Sequence, residues 1–182
     1  MFEELLRKIG VALERHNIPY MVIGGQAVLL HGEPRLTRDI DITLGVDLHK
    51  LQQVLSVIKE LELGILVENI ESFVRQTMVI PCLDEPTGIR VDFIFSYTPY
   101  EQQAISRALK VNILNQNVCF ASAEDVIIHK IFAGRARDLE DVKNIIIKNP
   151  GLDIEYIKRW LREFDIAIGA DFISRFEEIL KS

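Results

Sequence analysis

The spacing of apolar residues changes along this chain from a helical period to the alternation typical of strands, and then back again. Apolar residues at helical spacing over residues 2–13 predict a first amphipathic helix. The short apolar run 20–23 predicts a buried strand, and residues 26–31 after it predict a short helix. Alternating polar and apolar residues over 39–44 predict a half-buried strand. The N-terminal part is therefore predicted to run helix, strand, helix, strand.

The middle of the chain is predicted to be rich in strands. Two apolar segments flank Asp84-Glu85-Pro86-Thr87-Gly88, whose residue types favour a hairpin turn. The predicted elements are, in order, a helix at 51–61, strands at 65–67, 73–82 and 89–95, a helix beginning near Pro99, and an extended segment at 110–120.

Helical spacing returns at Ser122 and continues to the end of the chain. Ser122, followed by two acidic residues, is typical of a helix N-cap, and Pro150-Gly151 separates two later helices. We therefore predict an α/β (α+β) fold in which a small mixed sheet with flanking helices is followed by a C-terminal helical region. The predicted division is a core of residues 1–121 and a helical region of residues 122–182, packed on it as one compact unit.

The composition is typical of a folded protein and bears on the classes of partner that it can bind. Hydrophobic residues make up 48% and charged residues 26%, which is an ordinary globular balance. The chain has 21 Lys and Arg against 27 Asp and Glu, a net charge of −6. This acidic balance by itself disfavours a nucleic-acid partner, but the net charge does not show where on the protein the charges lie. No apolar run is long enough to span a membrane, and the N-terminus lacks the apolar core of a signal peptide. We therefore predict a cytoplasmic protein that does not bind membranes.

Three aspartates are the main candidates for chemistry. Asp39 and Asp41 are two residues apart on a predicted strand, so both side chains leave the same face. Asp92 is the only charged residue in the apolar run 91–95, where a carboxylate needs a partner. Carboxylates on neighbouring strands suit Mg²⁺, and two such ions clamp the attacking and leaving oxygens in phosphoryl transfer. Taken singly, the first two also fit a solvated strand face, and Asp92 an ion pair with Arg90 or another arginine.

Two further features concern phosphate. Gly24-Gly25 lies between a predicted strand and a short helix, where glycine lets backbone N–H groups approach an anion, although a tight turn explains it equally. The chain has neither a dinucleotide-binding fingerprint nor a Walker A loop. Lys130 falls on the apolar stripe of a predicted helix, where a lysine either extends toward solvent or meets an anion.

Three segments together resemble the motifs of the nucleotidyltransferase superfamily typified by DNA polymerase β: Gly24-Gly25, Arg35-Leu36-Thr37-Arg38-Asp39-Ile40-Asp41, and Val91-Asp92-Phe93. The superfamily pattern is a hydrophobic residue with Gly-Gly or Gly-Ser, then two acids one residue apart, then a third acid on a later strand. The middle segment more specifically resembles the AbiEii/MenT toxin-like nucleotidyltransferases and their small uncharacterised relatives. The resemblance implies a nucleotidyltransferase fold.

The resemblance also implies a site and a reaction. Asp39, Asp41 and Asp92 would be catalytic and hold two Mg²⁺ ions, with Asp92 nearest the acceptor hydroxyl. A nucleoside monophosphate would move from an NTP to a hydroxyl acceptor with release of pyrophosphate. Asp138 would orient one of two arginines that follow Lys130. The expected nucleotide contacts are Gly24, Gly25, Arg35, Thr37, Arg38, Lys130, Arg135 and Arg137.

The acceptor and the partners stay open at this point. The donor would be an NTP, and the acceptor a tRNA, another protein or a small molecule such as an aminoglycoside. An antitoxin partner is a further expectation from the toxin-like relatives, but the chain is shorter than AbiEii-type toxins, so toxin activity is not carried over. Two other function classes are kept. One is a non-catalytic nucleotide-binding or toxin–antitoxin module that retains the fold, and the other is a different two-metal phosphoryl enzyme, such as a phosphatase or a nuclease.

Overall fold

The computed structural model describes residues 1–181, and the contacts among them separate into two units. The sheet unit comprises Met1–Gln26 and Leu36–Phe120. The helical unit comprises Ala27–Arg35 and the chain from Ala121 onward. Both units are thus discontinuous in sequence, because the short segment Ala27–Arg35 belongs with the C-terminal helices.

A mixed sheet organises the sheet unit and confirms the predicted fold class. The strands are β1 Tyr20–Ile23, β2 Asp39–Leu44, β3 Gly64–Ile65, β4 Val79–Asp84, β5 Ile89–Phe95, β6 Leu109–Ile113 and β7 Gln116–Phe120. Their order in the sheet is β3-β4-β5-β2-β1-β7-β6 in the part of the chain that the structure describes. The pairs β2–β5 and β1–β7 are parallel, and the other neighbours are antiparallel.

Helices of the sheet unit flank this sheet, and apolar residues of the helices and the strands together form the core of the unit. The first helix, α1, buries Leu6 and Leu13, as its helical spacing predicts. On the strands, Ile42 of β2 and Phe93 of β5 are fully buried. The helices of the sheet unit are α1 Phe2–Arg15, α3 Leu51–Glu60, α4 Ile70–Thr77 and α5 Pro99–Ser106, and a short 3₁₀ turn, Leu48–Lys50, precedes α3. Helix α2, Gly24–His31, begins in the sheet unit and continues into the helical unit.

The strand predicted at 73–82 is wrong in its first half. Residues Ile70–Thr77 form α4, and the strand begins only at Val79. The side chain of Asn69 accepts a hydrogen bond from the backbone N–H of Ser72 at 3.2 Å and caps the helix, and Met78 ends it in the left-handed region at φ 60°. The cap at Asn69 is the local signal that distinguishes this eight-residue helix from a strand.

The extended segment predicted at 110–120 is a hairpin of two strands. The turn between β6 and β7 consists of Leu114 and Asn115, with φ angles of 49° and 66°. Two consecutive residues in the left-handed region suit a tight hairpin turn, but leucine rarely occupies that region, so the residue types do not indicate a turn at this position. The strand expected at 65–67 is also shorter and consists of Gly64–Ile65.

Four helices form most of the helical unit, in agreement with the predicted helical pattern after Ser122. The Ser122 hydroxyl accepts a hydrogen bond from the backbone N–H of Asp125 at 3.2 Å, which confirms the predicted N-cap. Buried apolar residues from each helix pack inside the unit, among them Ile127, Val142, Leu161 and Phe176. The helices are α6 Ala123–Ala133, α7 Ala136–Lys148, α8 Ile154–Ile168 and α9 Phe172–Lys181. Within residues 1–181, no helix is both long and apolar enough to cross a membrane.

Candidate active site

The register of two parallel strands places three carboxylates on one face of the sheet. Asp41 of β2 is the direct partner of Asp92 on β5, and Asp39 is two residues earlier on β2. Neighbouring strands lie about 4.8 Å apart, so these three side chains start close together. Ile40 and Val91 alternate with them and are fully buried on the opposite face. The alternation that predicts half-buried strands therefore also fixes which face carries the acids.

Two of these carboxylates already accept hydrogen bonds from the protein. The hydroxyl of Thr37 donates to Asp39 Oδ1 at 2.9 Å. The Nε of Arg90 donates to Asp92 Oδ1, also at 2.9 Å, and the Asp92 side chain is 18% exposed. This hydrogen bond and the negative charge of Asp92 raise the pKa of the Arg90 guanidinium, and the charges of Asp39 and Asp41 act in the same direction. The negative charges of all three acids therefore favour the charged form of the Arg90 guanidinium.

We call the sheet face that carries Asp39, Asp41 and Asp92 the acidic face. Its carboxylate oxygens suit a hard divalent cation, although the side chains are not arranged around one. No group of three His, Cys, Asp or Glu side chains within residues 1–181 has the geometry of a metal site. Asp92 Oδ1 accepts a hydrogen bond from Arg90 Nε. Carboxylate oxygens are the ligands that Mg²⁺ prefers, and the strand register supplies three of them side by side.

Gly24 is in close contact with one of the three acids. Strand β1 ends at Ile23, the register partner of Asp41, so Gly24 begins α2 beside that aspartate. A Cβ added to Gly24 would lie 2.0 Å from Asp41 Oδ2, and its φ of 62° is left-handed. Both facts restrict this position to glycine. The amide of Gln26 also donates to the Asp39 carbonyl at 3.4 Å, which joins the start of α2 to the start of β2.

Lys130, the predicted phosphate contact in the helical unit, is held by two carboxylates. Its Nζ donates to Asp138 Oδ1 at 2.7 Å and lies 3.0 Å from Asp141 Oδ2, and all three residues are buried. Arg35 Nε lies 3.3 Å from Asp141 Oδ1. Arg35 Nε and Asp141 Oδ2 are buried and have no hydrogen-bond partner. The contacts of Asp141 with Arg35 and Lys130 are therefore ion pairs at short distance without hydrogen-bond geometry. This geometry favours a role of Lys130 in joining α6 to α7, and its phosphate contact stays a prediction.

Asp138 also holds one of the predicted arginines. Arg135 donates from Nε to Asp138 Oδ2 at 2.6 Å, and its backbone N–H donates to the same oxygen at 3.3 Å. Burial opposes ionisation of the Asp138 carboxyl, but the hydrogen bonds from Arg135 and Lys130 outweigh it and lower its pKa. Arg137 of the helical unit and Arg38 of the sheet unit are exposed. The roles of these residues toward a nucleotide stay predictions.

Asp141 is the residue of this ion cluster that the sequence analysis misses. Its spacing of three residues from Asp138 on a helix places both acids on one face, and this spacing is the signal that was available. The periodicity alone does not show that Lys130 lies between them.

The lowered pKa of Asp138 predicts a loss of stability in acid. A carboxyl whose pKa is lower in the folded than in the unfolded chain contributes its full stability above the ordinary value of about 4, and loses it as the pH falls. We expect the free energy of unfolding to decrease as the pH falls below about 4, with a shallower slope in Asp138→Asn. Urea denaturation across this range measures the slope. Glu140→Gln, an exposed acid on the same helix, should keep the wild-type slope, and equal slopes in all three proteins would contradict the assignment.

A family model described as "Nucleotidyltransferase of unknown function (DUF6036)" matches residues 1–171. The chain belongs to this family. The match confirms the resemblance to nucleotidyltransferases and assigns nucleotidyl transfer as the class of reaction, with the acceptor unspecified. The narrower resemblance to AbiEii-like toxins stays a prediction. No curated protein sequence matches the chain.

Solved structures of nucleotidyltransferases share the fold of this DUF6036 member. The antibiotic-resistance factor ANT(2'')-Ia, studied in solution, is 16% identical with a TM-score of 0.63, over 92% of this chain and 94% of that one. An antigenic nucleotidyltransferase-like protein from Paracoccidioides brasiliensis is 19% identical with a TM-score of 0.56, over 96% and 91%. The lincosamide antibiotic adenylyltransferase LnuA, bound to lincomycin, is 19% identical with a TM-score of 0.50, over 73% and 89%. At these identities the similarity shows the fold.

Proposed function

We propose that this protein transfers a nucleoside monophosphate from an NTP to a hydroxyl group of an acceptor, releases pyrophosphate, and depends on Mg²⁺ held by Asp39, Asp41 and Asp92. The observation that carries the proposal is the register of Asp41 with Asp92, together with the contact between Asp41 and Gly24. Two acids in register, with a third two residues along the same strand and a glycine at the start of a helix beside them, would combine a cation site with an approach for phosphate.

Each acid has a distinct part in this proposal. Bound Mg²⁺ would neutralise charge on the phosphates and orient them for in-line attack. Asp39 and Asp41 share one strand and would hold the ions at a fixed spacing, with Thr37 orienting the Asp39 carboxylate through the 2.9 Å hydrogen bond. Asp92 lies across the strand pair and would accept the proton of the acceptor hydroxyl. Catalysis would then consist mainly of positioning and charge neutralisation.

The nucleotide would be bound chiefly by backbone and arginine groups. The N–H groups of Gly24 and Gly25 at the start of α2 favour an anion, because the helix dipole is positive there. The exposed Arg38 adjoins Asp39 in sequence and has the charge and reach to bind a phosphate. In the helical unit, the proposed contacts are Arg35, Arg135 and Arg137, with Asp138 orienting Arg135, and Lys130 supports them through the shared carboxylates.

Among the acceptors, a small hydroxylated molecule has the most support. LnuA is described as an antibiotic adenylyltransferase, and another ANT(2'')-Ia structure holds adenylyl-2''-tobramycin, with 17% identity and a TM-score of 0.58. These names favour a small-molecule hydroxyl over a tRNA or a protein. Two expectations stay predictions that no observation on this chain favours: an antitoxin partner and a cytoplasmic location.

Pyrophosphate release provides the test. The protein is incubated with Mg²⁺, each α-labelled NTP in turn, and either the small-molecule or the RNA fraction of a cell extract. We expect label in an acceptor of the small-molecule fraction and an equal amount of pyrophosphate. Release of orthophosphate would indicate a phosphatase instead, and NTP binding without transfer would indicate the non-catalytic module. Absence of NTP binding in the presence of Mg²⁺ would overturn the proposal.

A further inference from the structure

Arg90 lies on the same face of the sheet as the three acids. Along β5, Arg90 and Asp92 alternate with the buried Val91 and Ile89, so their side chains leave the face opposite the core. Across the strand pair, the register partner of Arg90 is Asp39. The Arg90 side chain therefore leaves its strand beside Asp39, and its Nε donates a hydrogen bond to Asp92 Oδ1 at 2.9 Å.

The charges on this face explain why a cation is stabilised there. Carboxylates on adjacent positions of two strands repel each other, and a positive group between them relieves the repulsion. Arg90 supplies such a group, because it is the register partner of Asp39 and its Nε donates a hydrogen bond to Asp92 Oδ1 at 2.9 Å.

The two partners of this ion pair differ in their freedom to move. The Arg90 side chain is 54% exposed, whereas that of Asp92 is 18% exposed. A long, half-exposed arginine can turn into solvent at little cost, while the short aspartate stays on its strand. If the pair breaks, the guanidinium leaves and the carboxylate remains in register with Asp41.

We propose that Arg90 is an internal counter-cation that occupies Asp92 and must release it when a divalent ion binds the acidic face. The inference rests on the proposed function, because it takes Asp39, Asp41 and Asp92 as the metal ligands. It makes Arg90 a positioning residue: it keeps Asp92 neutralised in the metal-free protein and competes with the ion for the same oxygen. Removing the guanidinium should therefore strengthen metal binding, whereas removing a merely structural ion pair should leave metal binding unchanged.

Calorimetric titration with Mg²⁺ or Mn²⁺ tests the competition. We expect Arg90→Gln to bind the ion about fivefold more tightly than wild type, the size expected for loss of one exposed ion pair. Arg90→Lys, which keeps the positive charge, should stay within about twofold of wild type. The matched control is Arg15→Gln, which removes an exposed arginine paired with Glu60 in the same unit and should leave the affinity unchanged. Unchanged or weaker binding by Arg90→Gln would overturn the inference.

A spectroscopic measurement separates this inference from the proposed function. The Nε–H resonance of Arg90, assigned by its absence in Arg90→Gln, should shift on addition of Mg²⁺, because the hydrogen bond to Asp92 is lost. If the wild type binds Mg²⁺ while this resonance does not move, the metal site stands and the role of Arg90 is overturned. If neither wild type nor Arg90→Gln binds the ion, the metal site of the proposed function fails, and the inference with it.

Discussion

Replacing Asp41 by Asn is expected to lower the rate of nucleotidyl transfer by about a thousandfold or more. The substitution keeps the shape of the side chain and removes the charge at the centre of the acidic face. Asp41 is in register with Asp92 and in contact with Gly24, so no neighbouring acid can take its position. The initial rate of pyrophosphate release, measured with the donor and acceptor fraction found to be active, provides the comparison.

The control for this prediction removes a negative charge elsewhere in the same unit. Glu68 is exposed in a loop between β3 and α4, and Glu68→Gln should keep the wild-type rate within about twofold, as is usual for a surface substitution. Unfolding of both variants in urea checks that each remains folded. A rate for Asp41→Asn within about twofold of wild type would exclude the three acids as the catalytic centre.

Substituting Gly24 by Ala is expected to destabilise the protein by more than about 3 kcal/mol and to lower the transfer rate at least about a hundredfold. Two effects add here. The left-handed φ of 62° is strained for alanine, and the new Cβ would lie 2.0 Å from Asp41 Oδ2. The side chain of Asp41 must then move, which displaces the carboxylate that we propose is catalytic as well as straining the chain.

Gly88 provides a control that separates the two effects. It has nearly the same backbone conformation, with a φ of 69°, but an added Cβ would meet nothing within 4 Å. Gly88→Ala should therefore show only the backbone strain, about 1–2 kcal/mol, and keep its activity. Chemical denaturation and the transfer assay are applied to both variants. Equal losses in both would show that Asp41 does not depend on the space at Gly24.

The strands that carry the acids could be predicted closely because their patterns are short-range. The alternation over Asp39–Leu44 and the single charge in the apolar run around Asp92 give both strands and the exposed face. Their pairing is a different matter, since β2 and β5 are neighbours in the sheet but are separated by β3 and β4 in the chain. The direct opposition of Asp41 and Asp92 is set by this long-range register, and no local pattern encodes it.

The partners of charged side chains were the least predictable part of the site. The position of Lys130 on an apolar stripe is equally compatible with a phosphate and with a buried ion pair. Only the packing of α6 and α7 within the helical unit shows that Asp138 and Asp141 both lie beside its ammonium group. For Asp92, the sequence is compatible with an ion pair with Arg90 and with a place in the acidic face, and the structure shows both at once.

The segment Ala27–Arg35 has a consequence for how the protein can be divided or recombined. It belongs to the helical unit, where Asn149 donates to the carbonyl of His31 at 2.8 Å and Lys148 to that of Gly32 at 3.1 Å. Its two ends continue directly into Gln26 and Leu36, so it interrupts the sequence between the paired glycines and the first two acids. A single cut after Phe120 therefore cannot give two intact halves. Exchange of the helical unit between relatives requires three junctions, and two of them lie between Gly25 and Asp39, within the segment that carries the proposed site.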